Sequence, residues 1–163
     1  MKKFIGFFLL SCSINTLADI NLRSKFAGVW SRDCANTNVD RIYRVNNLIG
    51  EDESTQKRTD GEILSKSKYN FQAVTEKKFK LNLTTSVFKE GKVIRTSKGE
   101  VIHEFVEDLK GINYNKTKLI SSIIIQDNGE KLQVVKDGLI YSKQADGSMK
   151  ETGATSIMER CLN

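Results

Sequence analysis

Apolar and polar residues alternate with a period of two along much of this chain, the spacing of strands with one buried face. The clearest stretch sets Phe79, Leu81 and Leu83 against Lys80, Asn82 and Thr84, and another sets Tyr69, Phe71 and Ala73 between polar neighbours. Arg41 to Ile49 places Tyr43, Val45 and Ile49 on one face and Arg44 and Asn46 on the other, which predicts a half-buried strand ending at Gly50. The inward set so defined is Tyr43, Tyr69, Phe71, Phe79, Leu81 and Leu83, enough to fill a small core. Lys89-Glu90-Gly91-Lys92 reads as a hairpin end leading into Val93 to Thr96. Glu100 to Leu109 fits either period, and its β-branched residues and its neighbours favour a strand.

The last third carries the most regular punctuation. Asn128-Gly129, Asp137-Gly138 and Asp146-Gly147 are turn dipeptides that tolerate positive φ. With Lys118 to Gln126 before them and Ser148 to Thr152 after, they predict a four-strand antiparallel meander. Two segments lack the alternation. Asp19 to Lys25 reads as a polar lead-in of about one helical turn, and Glu51 to Gly61, charged and aperiodic, reads as a mobile loop or a poorly ordered strand connection. The expected fold class is therefore all-β, an antiparallel meander of about eight to nine strands. So many strands in one open sheet would expose edges, so closure into a barrel or a two-sheet sandwich is expected.

The chain has 163 residues, the size of one domain. Residues 1–18 read as a signal peptide: Lys2 and Lys3, the apolar run Phe4 to Leu10, then Thr16-Leu17-Ala18 as a cleavage site. This leaves residues 19–163 as a single β domain, periplasmic or secreted, with no transmembrane helix in the mature chain. Leu9-Leu10-Ser11-Cys12 also resembles a lipobox, which would instead make an outer-membrane lipoprotein lipidated at Cys12. Either way Cys34 and Cys161 are the remaining thiols, and an oxidising compartment makes them a disulfide that ties the ends of the domain together. Closing a loop of ~127 residues stabilises the fold, on the chain-entropy account, by just under ~5 kcal/mol.

Removing Lys2 and Lys3 leaves 24 basic residues against 20 acidic ones, spread along the chain in mixed pairs. That is no nucleic-acid footprint, and for an exported protein the fitting basic-surface partner is an anionic envelope component. Candidate chemistry is sparse. The one histidine, His103, lies in an expected strand beside Glu104, and alternation sends neighbours to opposite faces, so they form no dyad. Two cysteines and one histidine fall short of a zinc site. Glu51, Asp52 and Glu53, and Glu107 and Asp108, read as solvated charges without the spacing of a calcium loop. No nucleophile elbow, phosphate loop or metalloprotease motif occurs. The expectation is a protein that is not an enzyme and carries no cofactor or metal.

Phe26 to Cys34 holds the single Trp, and its Gly28-Val29-Trp30 resembles the G-x-W motif that opens the first strand of lipocalin or calycin barrels. The resemblance implies an eight-stranded barrel closed at one end by Trp30, with Arg160 packed over that ring. Trp30 as an ordinary core aromatic fits the same residues. The early G-x-W, the nearby Cys and the C-terminal Arg-Cys also resemble small exported proteobacterial proteins of unknown function. Together these readings favour a non-enzymatic envelope protein binding a small apolar or amphipathic ligand. The alternative is a protein-interaction or hydrolase-inhibitor module, using Glu51 to Gly61 or a sheet face on a protein partner. An enzyme of unrecognised type ranks third.

Overall fold

A computed structural model describes residues 21–47 and 51–162, so the expected leader with Cys12, and the strand end at Ile49 and Gly50, lie outside the described residues. After a helical turn over residues 21–26 come eleven strands: β1 (Gly28–Ser31), β2 (Arg41–Val45), β3 (Asp52–Lys57), β4 (Ile63–Ala73), β5 (Lys78–Lys89), β6 (Lys92–Asp108), β7 (Gly111–Ile125), β8 (Lys131–Lys136), β9 (Leu139–Lys143), β10 (Met149–Ala154) and β11 (Ile157–Cys161). β1 to β7 pair in sequence order, β7 pairs with β11, and β11 returns to β1, closing an 8-strand antiparallel barrel. The Cys34–Cys161 disulfide holds that closure, its Cα atoms 5.2 Å apart.

β7 has two partners along one edge. Lys116 to Lys118 pair with β11, whereas Ser122 to Ile125 pair with β8, so β8, β9 and β10 leave the barrel as a three-stranded arm. The branch point is stapled by Thr155. Its amide donates to Gly138 O at 2.8 Å and its hydroxyl to Leu119 O at 2.7 Å, while the Gly138 amide donates to Ile120 O at 2.9 Å. Turn chemistry sets the hairpins. Glu90 and Gly91 (φ 51° and 74°), and Asp137 and Gly138 (φ 52° and 78°), take the left-handed pairs that two-residue hairpins require. Asn128-Gly129 and Asp146-Gly147 close wider loops.

Three expectations are corrected. The segment expected as a loop at Glu51 to Gly61 is mostly β3, whose Asp52-Glu53-Ser54-Thr55-Gln56-Lys57 has no apolar residue and is held by ladders on both sides, to β2 and to β4. The strands expected at Val93 to Thr96 and Glu100 to Leu109 are one 17-residue strand, because Ser97, Lys98 and Gly99 continue the pairing with β5. The faces of β2 are reversed: Arg44 is buried, and Tyr43 and Val45 point outward. Arg44 pairs directly with Gly28, and its guanidinium lies against the Phe26 and Trp30 rings. Tyr43 instead lies under Lys57, whose Nζ is 5.1 Å from its ring.

The core sits in the half of the barrel where the chain enters. Leu22 and Phe26, one turn apart on the helical segment, insert between the strands and pack with Trp30, Tyr69, Phe79, Leu81 and Phe105. Side chains of this size at the buried positions carry most of the favourable burial energy, roughly 1.5–3 kcal/mol each.

Candidate functional site

Phe26 plugs the barrel. Its ring centroid lies 4.5 Å from Phe79, 5.4 Å from His103, 5.8 Å from Trp30, 6.2 Å from Phe71 and 6.4 Å from Tyr69, so it touches rings on several walls at once. The Trp30 indole N–H donates to Phe26 O at 2.9 Å, using the one donor of that ring to satisfy a carbonyl at the end of the helical segment. Two ties hold the segment in place. Arg23 makes a bidentate ion pair with buried Asp52 of β3, and Lys25 Nζ sits 3.5 Å from the ring centroid of Tyr114 in β7. The Asn47 amide also donates to Asp52 Oδ1 at 2.9 Å.

A polar group is built into this aromatic layer. The Arg44 guanidinium lies 4.0 Å from the Phe26 ring centroid and 5.1 Å from that of Trp30. Burial pushes its pKa down to about 9, against the pull of Tyr69. Burial likewise raises the Tyr69 phenol above its ordinary value, partly offset by Arg44. His103, stacked on Phe79 at 5.5 Å, is pushed down to about 3 by burial first and by the Arg44 charge second, so it is a neutral ring at physiological pH. Arg44 Nη1, the Tyr69 hydroxyl and His103 Nδ1 are all buried without a hydrogen-bond partner in the protein. Such groups are uncommon in folded proteins and each costs stability.

The side chains packed around and beyond this layer are less completely buried. Directly opposed strand residues share a face, and the pairs Trp30–Ile42, Leu81–Val101, Tyr69–Leu83, Thr117–Met158 and Ser67–Thr85 therefore aim Ile42, Val101, Leu83, Met158, Ser67 and Thr85 inward. These side chains are only half-buried although they face the interior. The Ser67 and Thr85 hydroxyls bond to each other at 2.7 Å, and the Ser65 hydroxyl donates to Gln56 Oε1 at 3.4 Å. The interior is thus aromatic around the Phe26 plug, with half-buried aliphatic side chains packed against that layer and hydroxyl groups farther along β4 and β5.

The residues singled out from sequence are distributed as follows. Cys34 and Cys161 are bonded to each other. Gly28 has φ 119°, and a Cβ there would lie 2.9 Å from Arg160 Nε, so Gly28 serves both a left-handed backbone and the passage of Arg160. Arg160 pairs with Trp30 across β1 and β11, while the cation stacked on the Trp30 ring is Arg44. His103 and Glu104 face opposite ways, the first into the core and the second toward Lys77 at 3.4 Å and Lys78 at 3.8 Å. Asp52 joins the plug, Glu53 reaches Lys68 at 3.9 Å, Glu107 accepts from Lys77 at 2.5 Å, and Asp108 bonds the Lys110 amide. Sequence reasoning missed Phe26 as a plug, Arg44 and the Arg23–Asp52 tie. Hydropathy ranks Arg44 and Asp52 as surface residues, and nothing local marks them otherwise.

Among the described residues, no group of three or more His, Cys, Asp or Glu side chains could hold a metal ion, and no helix is long and apolar enough to cross a membrane. Fold and site together define a small disulfide-closed antiparallel β-barrel protein with one plugged end. Comparison of the chain with protein families, with curated proteins and with solved structures finds no match.

Proposed function

We propose that this is an exported, non-enzymatic binding protein of the cell envelope, lipocalin-like in outline, whose less filled half takes a small apolar or amphipathic ligand. One observation carries the reading: Ile42, Leu83, Val101 and Met158 face inward and pack against the aromatic core yet stay half-buried, and beyond the Tyr69–Leu83 pair the next inward pair, Ser67–Thr85, is half-buried too. Apolar side chains that face an interior without being sealed are surface a ligand can cover. The hydroxyls of Ser65, Ser67 and Thr85 above them suit a polar group near the mouth. Gly28-Val29-Trp30 at the plugged end supports the lipocalin-like outline.

The test combines native mass spectrometry with a filling variant. Protein recovered from its source should release a small molecule on organic extraction, and Val101→Trp should abolish rebinding of that molecule while leaving the far-ultraviolet circular dichroism unchanged. A bare polypeptide that binds no extracted lipid or hydrophobic dye would overturn the reading and move the assignment to a protein-interaction module.

A further inference from the structure

The β5–β6 hairpin outruns the barrel. β4 accompanies β5 only as far as the Ser65–Val87 pair, and β7 accompanies β6 only from the Lys98–Ile125 pair. Residues 88–97 therefore stand out as a two-stranded ribbon closed by the Glu90-Gly91 turn. A bulge puts Ile94 outside the ladder, between the pairs Val87–Arg95 and Phe88–Val93. Val93 is 54% exposed and Ile94 61% exposed, side by side at the tip.

Cations surround this aliphatic pair. Lys89, Lys92 and Arg95 are exposed on the ribbon, Lys98 is exposed at its base, and Lys66 Nζ lies 5.9 Å from the ring of Phe88. Glu90 is the one acid between 88 and 98. The described ion pairs engage lysines and arginines elsewhere and none of these five. Edge protection accounts for lysines and a bulge on an unpaired strand, and both discourage the addition of another strand. It gives no reason for two aliphatic side chains to face water at the same place. A soluble polyanion would use the cations and leave Val93 and Ile94 wet. A bilayer with anionic headgroups uses both, since each Lys or Arg near such a surface contributes about 1 kcal/mol and the aliphatic groups leave water at the headgroup level.

We propose that the tip of this hairpin docks the protein on an anionic phospholipid bilayer, with Val93 and Ile94 entering the headgroup region and Lys89, Lys92, Arg95 and Lys98 facing the lipid phosphates. The test is co-sedimentation of the full chain with vesicles of phosphatidylcholine alone and of phosphatidylcholine mixed equally with phosphatidylglycerol. Binding should need the anionic lipid and weaken in high salt. V93S/I94S and K89E/K92E should each weaken it by roughly tenfold or more. K143E/K150E, which changes the net charge equally on the arm, should weaken it far less.

Equal binding to neutral vesicles, or an equal loss in the arm variant, would overturn the proposal. So would V93S/I94S binding as tightly as the parent while heparin competes fully, which would identify a site for soluble polyanions instead. Circular dichroism of each variant confirms that the fold is retained, and an unfolded variant is replaced by V93T/I94T or K89Q/K92Q.

Discussion

Arg44 lies with its guanidinium 4.0 Å from the centroid of the Phe26 ring, a cation inside an aromatic plug and unmatched by any carboxylate in the described ion pairs. Stacking on Phe26 and Trp30 offsets part of its desolvation, about 0.5–2 kcal/mol for such contacts. Arg44→Met keeps the volume and removes the charge, so thermal stability should hold or rise. Arg44→Ala leaves a void and should lower stability by ~2 kcal/mol or more. Thermal unfolding followed by Trp30 fluorescence measures both, and a Met variant much weaker than the parent would show that the charge has a stabilising partner.

Tyr69 has a buried hydroxyl without a partner, so Tyr69→Phe removes a desolvated polar group and keeps the ring. The expected gain is about 1 kcal/mol, visible as a higher urea midpoint at an unchanged slope. A lower midpoint would mean that the hydroxyl is bonded in solution.

The Cys34–Cys161 bond spans 127 residues and joins the end of β11 to the loop after β1. Cys34→Ser/Cys161→Ser, or reduction, should cost ~2–5 kcal/mol. Urea unfolding with and without reductant reads the difference directly, and identical curves would remove the bridge from the stability argument.

His103 has a folded pKa of about 3 against an ordinary 6.5, which fixes the sign of its pH effect. The unfolded chain takes up the proton first, so this contribution is fully present above about pH 6.5 and is lost as the pH falls toward 3. His103→Phe should flatten the acid side of a plot of urea midpoint against pH between 7 and 4, and an unchanged slope there would assign the acid sensitivity to carboxylates.

Much of the barrel was legible because its signals are local. The Glu90-Gly91 and Asp137-Gly138 turns, the inward set Tyr69, Phe71, Phe79, Leu81 and Leu83, and the Cys34–Cys161 pair all read correctly from residue type and spacing. What was missed depends on partners distant in sequence. β3 is a strand because β2 and β4 flank it, not because of its own polar residues. Arg44 faces inward where the Phe26 and Trp30 rings, both distant in sequence, receive its planar cation, so alternation read by hydropathy placed it outside. Phe26 closes the barrel on a helical segment tied to Asp52 and Tyr114, partners far from it in sequence.

The position of β11 has a consequence for how the chain is made. Synthesis runs from the N-terminus, and β11 is the strand that joins β1 to the Lys116–Lys118 stretch of β7. Until residues 157–161 arrive, β1 to β7 can form only an incomplete curved sheet in which β1 and the Lys116–Lys118 stretch of β7 lack their partner. Barrel closure is therefore the last event, reached after the whole arm has been synthesised. A nascent chain in this state exposes strand edges to whatever holds it, whether ribosome, translocation channel or chaperone, and a premature stop before Ile157 yields a sticky open sheet rather than a smaller barrel.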